Sequence, residues 1–312
     1  MKKDIAISVG DINGISLEIL LLSHSLIESR INPIYCVDYE ILEASSSLLD
    51  IPIPKNLNCY SIKNNCKFYS DLKISPSLCT KESGEYSFES FKAALNLVNE
   101  SKAKGVVTLP ISKSAWMKAG INFLGHTHYL NSRFNRNGIM MLGEERMFVA
   151  LFSDHIPLKD VPNAIEYESL LQFLLNFKSS FDFKKAAVLG LNPHCGEDGL
   201  LGSEERVIAL CIKKANEILG DEIFIGPLPP DSAFTPNNRE KFNIFVAMYH
   251  DQGLIPLKAL YFERSINVTL NLPILRASVD HGVAFDIAYK KNRKLNIASY
   301  IEAINFIESY KE

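Results

Sequence analysis

No CxxC pair, no GxGxxG turn, no basic cluster and no long apolar run occur in this sequence of 312 residues, and each absence narrows what it does. The six cysteines (Cys36, Cys59, Cys66, Cys79, Cys195 and Cys211) are scattered. They read as reduced thiols in a cytoplasmic protein rather than as a disulfide framework. The net charge is -3 and the lysines and arginines form no long stretch, so nucleic acid is excluded as a partner; neutralising phosphates needs a basic face. Nothing approaches the roughly 18 apolar residues of a membrane span. The opening segment MKKDIAISVGDING is broken by Asp4 and Asp11, so neither a signal peptide nor a membrane anchor is expected. The missing GxGxxG removes the Rossmann fingerprint for a dinucleotide.

What is present reads as alternating strands and helices. Short runs rich in Val and Ile mark candidate strands at 4–9, 33–37, 105–109, 147–152, 186–191, 223–226, 244–249 and 266–270. Several are apolar throughout, as parallel strands covered on both faces require. Helical periodicity marks 15–28, 87–103, 127–136, 166–181, 203–219 and 297–310; the 203–219 segment opens on Glu204 and Glu205 and stops at Gly220. The pattern predicts an α/β/α sandwich. Residues 50–86, with their prolines and asparagines, read as an irregular excursion away from the chemistry.

The seven histidines are placed informatively. His155 follows the run MFVALF, His194 follows AAVLGL, and His250 directly follows IFVAMY. A lone histidine after a strand is most often an ordinary polar loop residue. Three of them, each just past the carboxyl end of a strand, lie where open α/β sheets place ligands. Three imidazoles without thiolates suit a borderline divalent ion such as Zn²⁺ or Co²⁺, with positions left open for substrate. Cys195, next to His194, reads as a bystander. Beyond His250, Lys258, Asn267 and Arg276 are spaced along one stretch and can hold a phosphate or carboxylate; solvated surface charge explains the spacing equally well. The GHTH turn at 125–128 offers His126 and Thr127 to an anion, and Gly10 and Gly14 mark a place for close backbone approach to a ligand. Residue chemistry alone therefore gives a metal-dependent α/β enzyme acting on an anionic small molecule.

The blocks GDINGISLEI (10–19), LPISKSAWMKAGINFLGHT (109–127), DHIPLKDVP (154–162), GLNPHCGEDGLLGSEE (190–205), GPLPPDSAF (226–234), AMYHDQGLIPLK (247–258) and NVTLNLPILRASVDHGVAFDIA (267–288) resemble the 4-hydroxythreonine-4-phosphate dehydrogenase family of vitamin B6 synthesis. They run in order over most of the chain. GLNPH-x-GE-x-G and YHDQGL are specific, whereas GD-x-x-G is not. The resemblance implies an isocitrate/isopropylmalate-dehydrogenase-like fold of two subdomains with the active site in the cleft between them. The first subdomain is expected at 1–125 plus 255–312 and the second at 126–254. It implies a homodimer with shared active sites, and NAD or NADP together with a divalent metal (Zn, Mg or Co) as cofactors. It also implies a small phosphorylated hydroxy-amino acid, 4-phosphooxy-L-threonine, as the substrate.

By the same match, His155, His194 and His250 correspond to metal ligands, and His126, Thr127, Lys258, Asn267 and Arg276 to substrate contacts. The segment DHG-x-AFDIA lies where related decarboxylating dehydrogenases bind their dinucleotide, so Asp280, His281, Gly282, Ala284 and Asp286 are the expected cofactor residues. Asp231 and Asp251 are candidate proton acceptors. The implied reaction gives 2-amino-3-oxo-4-phosphooxybutanoate, which loses CO₂ to leave 3-amino-2-oxopropyl phosphate. Alternatives are a dehydrogenase of threonate or erythronate 4-phosphate, or a metal-dependent lyase or hydrolase without nicotinamide. The chain departs from the family's pattern at Ser16 and Leu17 (a Gly-Pro pair), His128 (an acid), and Ser153-Asp154 (two threonines). Further departures are Asn271 and Tyr289 (glycines) and Ala277 and Val283 (hydroxyl residues). None removes a metal ligand or a substrate cation.

Overall fold

The structure, a computed structural model, describes residues 2–291, 293 and 295–310, which fall into two compact units, 1–136 with 272–312 and 137–271. In the first unit, strands β1 (Lys3–Ser8), β2 (Ile31–Cys36), β3 (Asn58–Cys59), β4 (Val106–Thr108) and β11 (Arg276–Val279) lie in the order β3-β2-β1-β4-β11, every pair parallel. Successive residues Ile5, Ala6 and Ile7 of β1 are all fully buried. Because neighbours on a strand point to opposite faces, this sheet is covered on both sides. Helices α1 (Ser16–Ile27), α2 (Tyr39–Leu49), α3 (Lys81–Asn99), α4 (Lys113–Lys118), α5 (His126–Phe134) and α12 (Ala298–Ser309) complete the unit.

The second unit is mixed. Strands β5 (Ile139–Glu144), β6 (Met147–Leu151), β7 (Ala186–Leu189), β8 (Phe224–Leu228), β9 (Ile244–Ala247) and β10 (Ile266–Leu270) take the order β10-β5-β6-β9-β7-β8. The β10-β5 and β5-β6 pairs are antiparallel, and β6-β9, β9-β7 and β7-β8 are parallel. Helices α6 (Val161–Ala164), α7 (Tyr167–Ser180), α8 (Glu204–Leu219), α9 (Pro230–Ala233), α10 (Pro236–Lys241) and α11 (His250–Tyr261) belong to it. Its core gathers Met140, Leu142, Val149, Leu189, Phe245 and Leu257 among others.

Several elements differ from the sequence reading. β5 was not expected, because IMMLGE is a short apolar run that turns straight into β6 through Glu145 and Arg146, a hairpin inside an otherwise alternating pattern. α3 starts at Lys81 rather than 87, capped by the Thr80 hydroxyl, which accepts from the Ser83 N–H. α11 carries both Gly253 and Pro256, two helix breakers that hid it. The units divide at 136/137 and 271/272, later than the expected 125/126 and 254/255. Two contacts explain this: α5 packs its His126 and Tyr129 on Phe91 of α3, and β10 is zipped to β5. No helix among the described residues is long and apolar enough to cross a membrane.

Candidate functional site

The three strands whose ends carry His155, His194 and His250 are neighbours: β6, β9 and β7 pair in parallel, in that order. Side chains beneath the histidines tie these strand ends together. Ser153, past β6, donates its hydroxyl to the Met248 carbonyl at 2.6 Å. Gln252, on the first turn of α11, accepts from the Met248 N–H at 2.7 Å and donates to the Gly190 carbonyl at 2.7 Å. One buried amide thus joins the end of β9 to the end of β7.

The loop after β7 is held from α8. The Glu205 carboxylate accepts from the backbone N–H of Leu191 (2.9 Å) and of Asn192 (2.6 Å), and Glu204 accepts from the Asn192 amide at 2.8 Å. The two acids read as favourable helix-dipole charges therefore also anchor the chain that leads to His194. There the backbone runs left-handed through His194, Cys195, Gly196, Glu197 and Asp198 (φ from 45° to 74°). Four of these five are not glycine, a conformation that costs about 1–2 kcal/mol per residue. Such strain is typically retained at functional sites. Cys195 donates its thiol to the Pro227 carbonyl.

His155 and His250 come together, their ring centroids 5.7 Å apart and their planes tilted by 53°. Nδ1 of His250 lies 2.7 Å from Asp251 Oδ1, and Nδ1 of His155 lies 3.4 Å from Asp154 Oδ2. A carboxylate on Nδ1 fixes the proton there and leaves Nε2 as the lone pair, the usual support for a metal-binding imidazole. With metal–nitrogen bonds of about 2.0–2.1 Å, two rings on one tetrahedral ion have centroids roughly 5 Å apart, so this pair fits a shared ion. His194 is not part of a third-ligand arrangement: among the described residues no group of three or more His, Cys, Asp or Glu side chains is placed to hold a metal. Of the candidate acids, Asp251 is engaged by His250, and Asp231 stands exposed on α9.

The substrate candidates divide between the units. Lys258, in the last turn of α11, sets its ammonium 5.6 Å from the Phe262 ring centre, and Asn267 lies on β10. His126, Thr127 and Arg276 belong to the first unit. His126 and Arg276 are both buried, which excludes the reading of Arg276 as solvated surface charge. Arg276 Nη2 sits 3.2 Å from His126 Nδ1, and its Nε and Nη2 donate to Thr108 Oγ1 at 3.1 and 2.7 Å. Burial brings the Arg276 pKa down to about 9, so the group is still cationic at neutral pH. Burial, and then the charges of Arg276 and Lys113, hold His126 well below its ordinary pKa. Thr108 and Lys113 were not singled out from the sequence, since a threonine within a strand carries no distinguishing signal.

The expected cofactor segment has no regular structure: Asp280 donates its N–H to Ser299 Oγ, Ala284 is left-handed (φ 49°), and Gly282 faces open space. It is buttressed by the turn after β1, where Ile15 N–H donates to the Val283 carbonyl at 3.2 Å. A Cβ on Gly14 would fall 2.6 Å from that carbonyl, and one on Gly10 would fall 2.3 Å from the Pro110 carbonyl. These glycines let the turn approach the Pro110 and Val283 backbone closely. Tyr289 and Asn271, where the family's pattern has glycine, keep left-handed backbones (φ 56° and 61°). Hydrogen bonds offset the strain: Tyr289 Oη donates to the Ile12 carbonyl and Asn271 Nδ2 to the Asn137 carbonyl, both at 2.8 Å. Ser16 donates to the Pro110 carbonyl, His128 Nδ1 accepts from the Leu124 N–H, and Leu17 and Ala277 are buried.

Residues 29–307 match the family described as pyridoxal phosphate biosynthetic protein PdxA. The chain belongs to this family. It is 52% identical over 97% of its length to 4-hydroxythreonine-4-phosphate dehydrogenase of Sulfurimonas denitrificans, covering 96% of that protein. To the protein of the same name from Helicobacter pylori strain P12 it is 48% identical, over 98% of this chain and 99% of the other. The crystal structure of 4-hydroxythreonine-4-phosphate dehydrogenase from Klebsiella pneumoniae superposes with a TM-score of 0.83 at 29% identity, covering 99% of this chain and all of that one. The mixed α/β fold and the family expected from the sequence blocks are thus both found, and the names these relatives carry are those of a dehydrogenase.

Proposed function

We propose that this chain oxidises the C3 hydroxyl of 4-phosphooxy-L-threonine with NAD or NADP, and that the 3-oxo acid formed then loses CO₂ to give 3-amino-2-oxopropyl phosphate. The observation that carries this reading is 52% identity over nearly the whole chain to a 4-hydroxythreonine-4-phosphate dehydrogenase. His155, His250 and His194 would hold the divalent ion (Zn, Mg or Co); the first two already stand side by side, each with a neighbouring carboxylate near Nδ1. When bound, the ion would supply Lewis acidity at the substrate hydroxyl and a nicotinamide would supply a hydride acceptor.

The chain's own residues do the rest. Arg276 and His126 form a buried donor pair, and Thr127, Lys258 and Asn267 add contacts that fix the anionic ends of the substrate and so orient C3. Asp251 orients His250 rather than taking the hydroxyl proton, which leaves Asp231 as the proton acceptor. Asp280, His281, Gly282, Ala284 and Asp286 hold the dinucleotide, braced from behind by the turn at Gly14. The enzyme works as a cytoplasmic homodimer whose sites draw on both subunits. That arrangement accounts for a chain that, among the described residues, brings together two of the three proposed metal histidines.

The test follows nicotinamide reduction with 4-phosphooxy-L-threonine, its unphosphorylated analogue, and threonate and erythronate 4-phosphates, after chelation and after metal is added back. Reduction with the first substrate alone, lost on chelation and restored by metal, is expected. Turnover of only a threonate or erythronate phosphate would overturn the substrate assignment, and full turnover by metal-free protein would overturn the metal site.

A further inference from the structure

The buried ring of His126 carries a nitrogen, Nε2, that has no hydrogen-bond partner among the described residues. The ring is packed edge-on against Phe91 (4.5 Å between centroids) and Trp116 (5.5 Å). Its Nδ1 faces Arg276 Nη2 at 3.2 Å. A guanidinium has donors only, so Nδ1 must be the lone pair that accepts. A neutral imidazole that accepts at Nδ1 carries its hydrogen on Nε2. The charged groups facing the ring, Arg276 from β11 and Lys113 from α4, are both cations and oppose a second proton, as does burial. That buried Nε2 is thus a donor with no acceptor among the described residues. A buried donor left unmet is costly, and such atoms call for a ligand or another explanation.

Thr108 helps to set the position of Arg276. The parallel register places Arg276 opposite Val106 and Ser278 opposite Thr108, so the guanidinium reaches along β4 to the Thr108 hydroxyl. That oxygen accepts from both Nε and Nη2, using both of its lone pairs. Two donors bonded to one oxygen fix the plane of the guanidinium, and with it the direction of the Nη2–H that meets His126.

We propose that Thr108 is a positioning residue: through Arg276 it locks His126 as the Nε2–H tautomer, so that a neutral imidazole beside two cations donates to an oxygen of the substrate's anionic group. The inference rests on the reading of His126 and Arg276 as substrate contacts. The His126 Nε2–H and the guanidinium offer hydrogens only, so the group they receive is an acceptor without hydrogens to give, a phosphate or a carboxylate. Because the donor is already neutral, its binding strength stays constant across the neutral range rather than fading as a histidinium would.

Two measurements test it. In ¹⁵N-histidine spectra of the full-length protein, the His126 signals, identified by their absence in His126→Asn, are expected to show an unprotonated Nδ1 and a protonated Nε2. Titration with inorganic phosphate, and separately with acetate, is expected to move the Nε2–H signal, and the stronger response tells which anionic end binds. A proton on Nδ1, a doubly protonated ring, or no response to either anion would overturn the proposal. In kinetics, Thr108→Val is expected to raise KM for the phosphorylated substrate about ten- to a hundred-fold with kcat within about threefold, because the cation loses its aligned contact. Thr108→Ser, which keeps the hydroxyl, is expected to return to within about threefold of the native KM. An unchanged KM in Thr108→Val overturns the proposal, and if that variant does not fold, the spectra of the native protein decide. If no phosphorylated acid is oxidised, the dehydrogenase reading fails while the anion titration still decides this one.

Discussion

Asp11 is fully buried in the turn after β1, where its carboxylate accepts from the Asn13 N–H at 3.0 Å and from the Ser83 hydroxyl at 3.3 Å. Burial outweighs those two contacts and raises its pKa from 3.8 to about 6. The folded chain therefore holds this proton more tightly than the unfolded chain does. Between about pH 4 and pH 6 the native state binds more protons, so the contribution of Asp11 to stability falls as pH rises and stays low above that window. At 1.36 kcal/mol per unit the loss amounts to at most about 3 kcal/mol. Asp11→Asn, which cannot ionise, is expected to remove this slope. Urea midpoints for both proteins at pH 4.5 and 7 check it, and an identical pH dependence in the variant would contradict it. At this scale the sequence was partly readable. The strand-end histidines announced themselves by repetition, but the burial of Arg276 and its bond to Thr108 depend on the pairing of β4 with β11, which lie far apart in the chain.

At the scale of elements, α11 shows what local signals miss. It contains Gly253 and Pro256, both unfavourable in a helix interior, yet it begins at His250 and seats its first turn against β6 and β9. The glycine is required by that seat: a Cβ there would lie 2.4 Å from Val149 Cγ1 and 3.0 Å from Ala247 Cβ. Tertiary packing overrides propensity, and no sequence window reveals it. The same holds for β5, whose antiparallel pairing with β6 and β10 is decided by the hairpin and by a strand more than a hundred residues on. By contrast β6, β7 and β9 were readable because each is buried on both faces and so apolar throughout, and β1 because its run Ile5, Ala6 and Ile7 is. Gly253→Ala is expected to destabilise the protein by about 1–3 kcal/mol, the usual cost of overfilling a packed contact. Equilibrium urea unfolding measures this. A variant as stable as the native chain would mean that α11 can lift off the sheet at no cost.

For the whole molecule, the family and the mixed α/β fold were legible because seven motif blocks recur in order, whereas which copy of the chain supplies each proposed metal ligand was not. Sequence order says nothing about which copy of a chain supplies a side chain. Within one chain His155 and His250 stand side by side, and no third ligand joins them among the described residues. If each site of the proposed dimer takes His194 from the second subunit, inactive variants should complement one another. In a heterodimer of His194→Ala with His155→Ala, one site combines the intact His155 and His250 of the first chain with the intact His194 of the second. The other site carries both lesions. Random pairing at equal expression makes half the dimers mixed, each with one good site of two, so the mixture should recover about a quarter of native activity. The measurement is turnover in co-expressed variants carrying different affinity tags, after purification through both tags, where one site in two should work. Each variant alone should be inactive. Doubly tagged heterodimers that remain inactive would place all three histidines on the same chain, and His194 would then have to reach His155 and His250 by a movement of the left-handed turn that carries it.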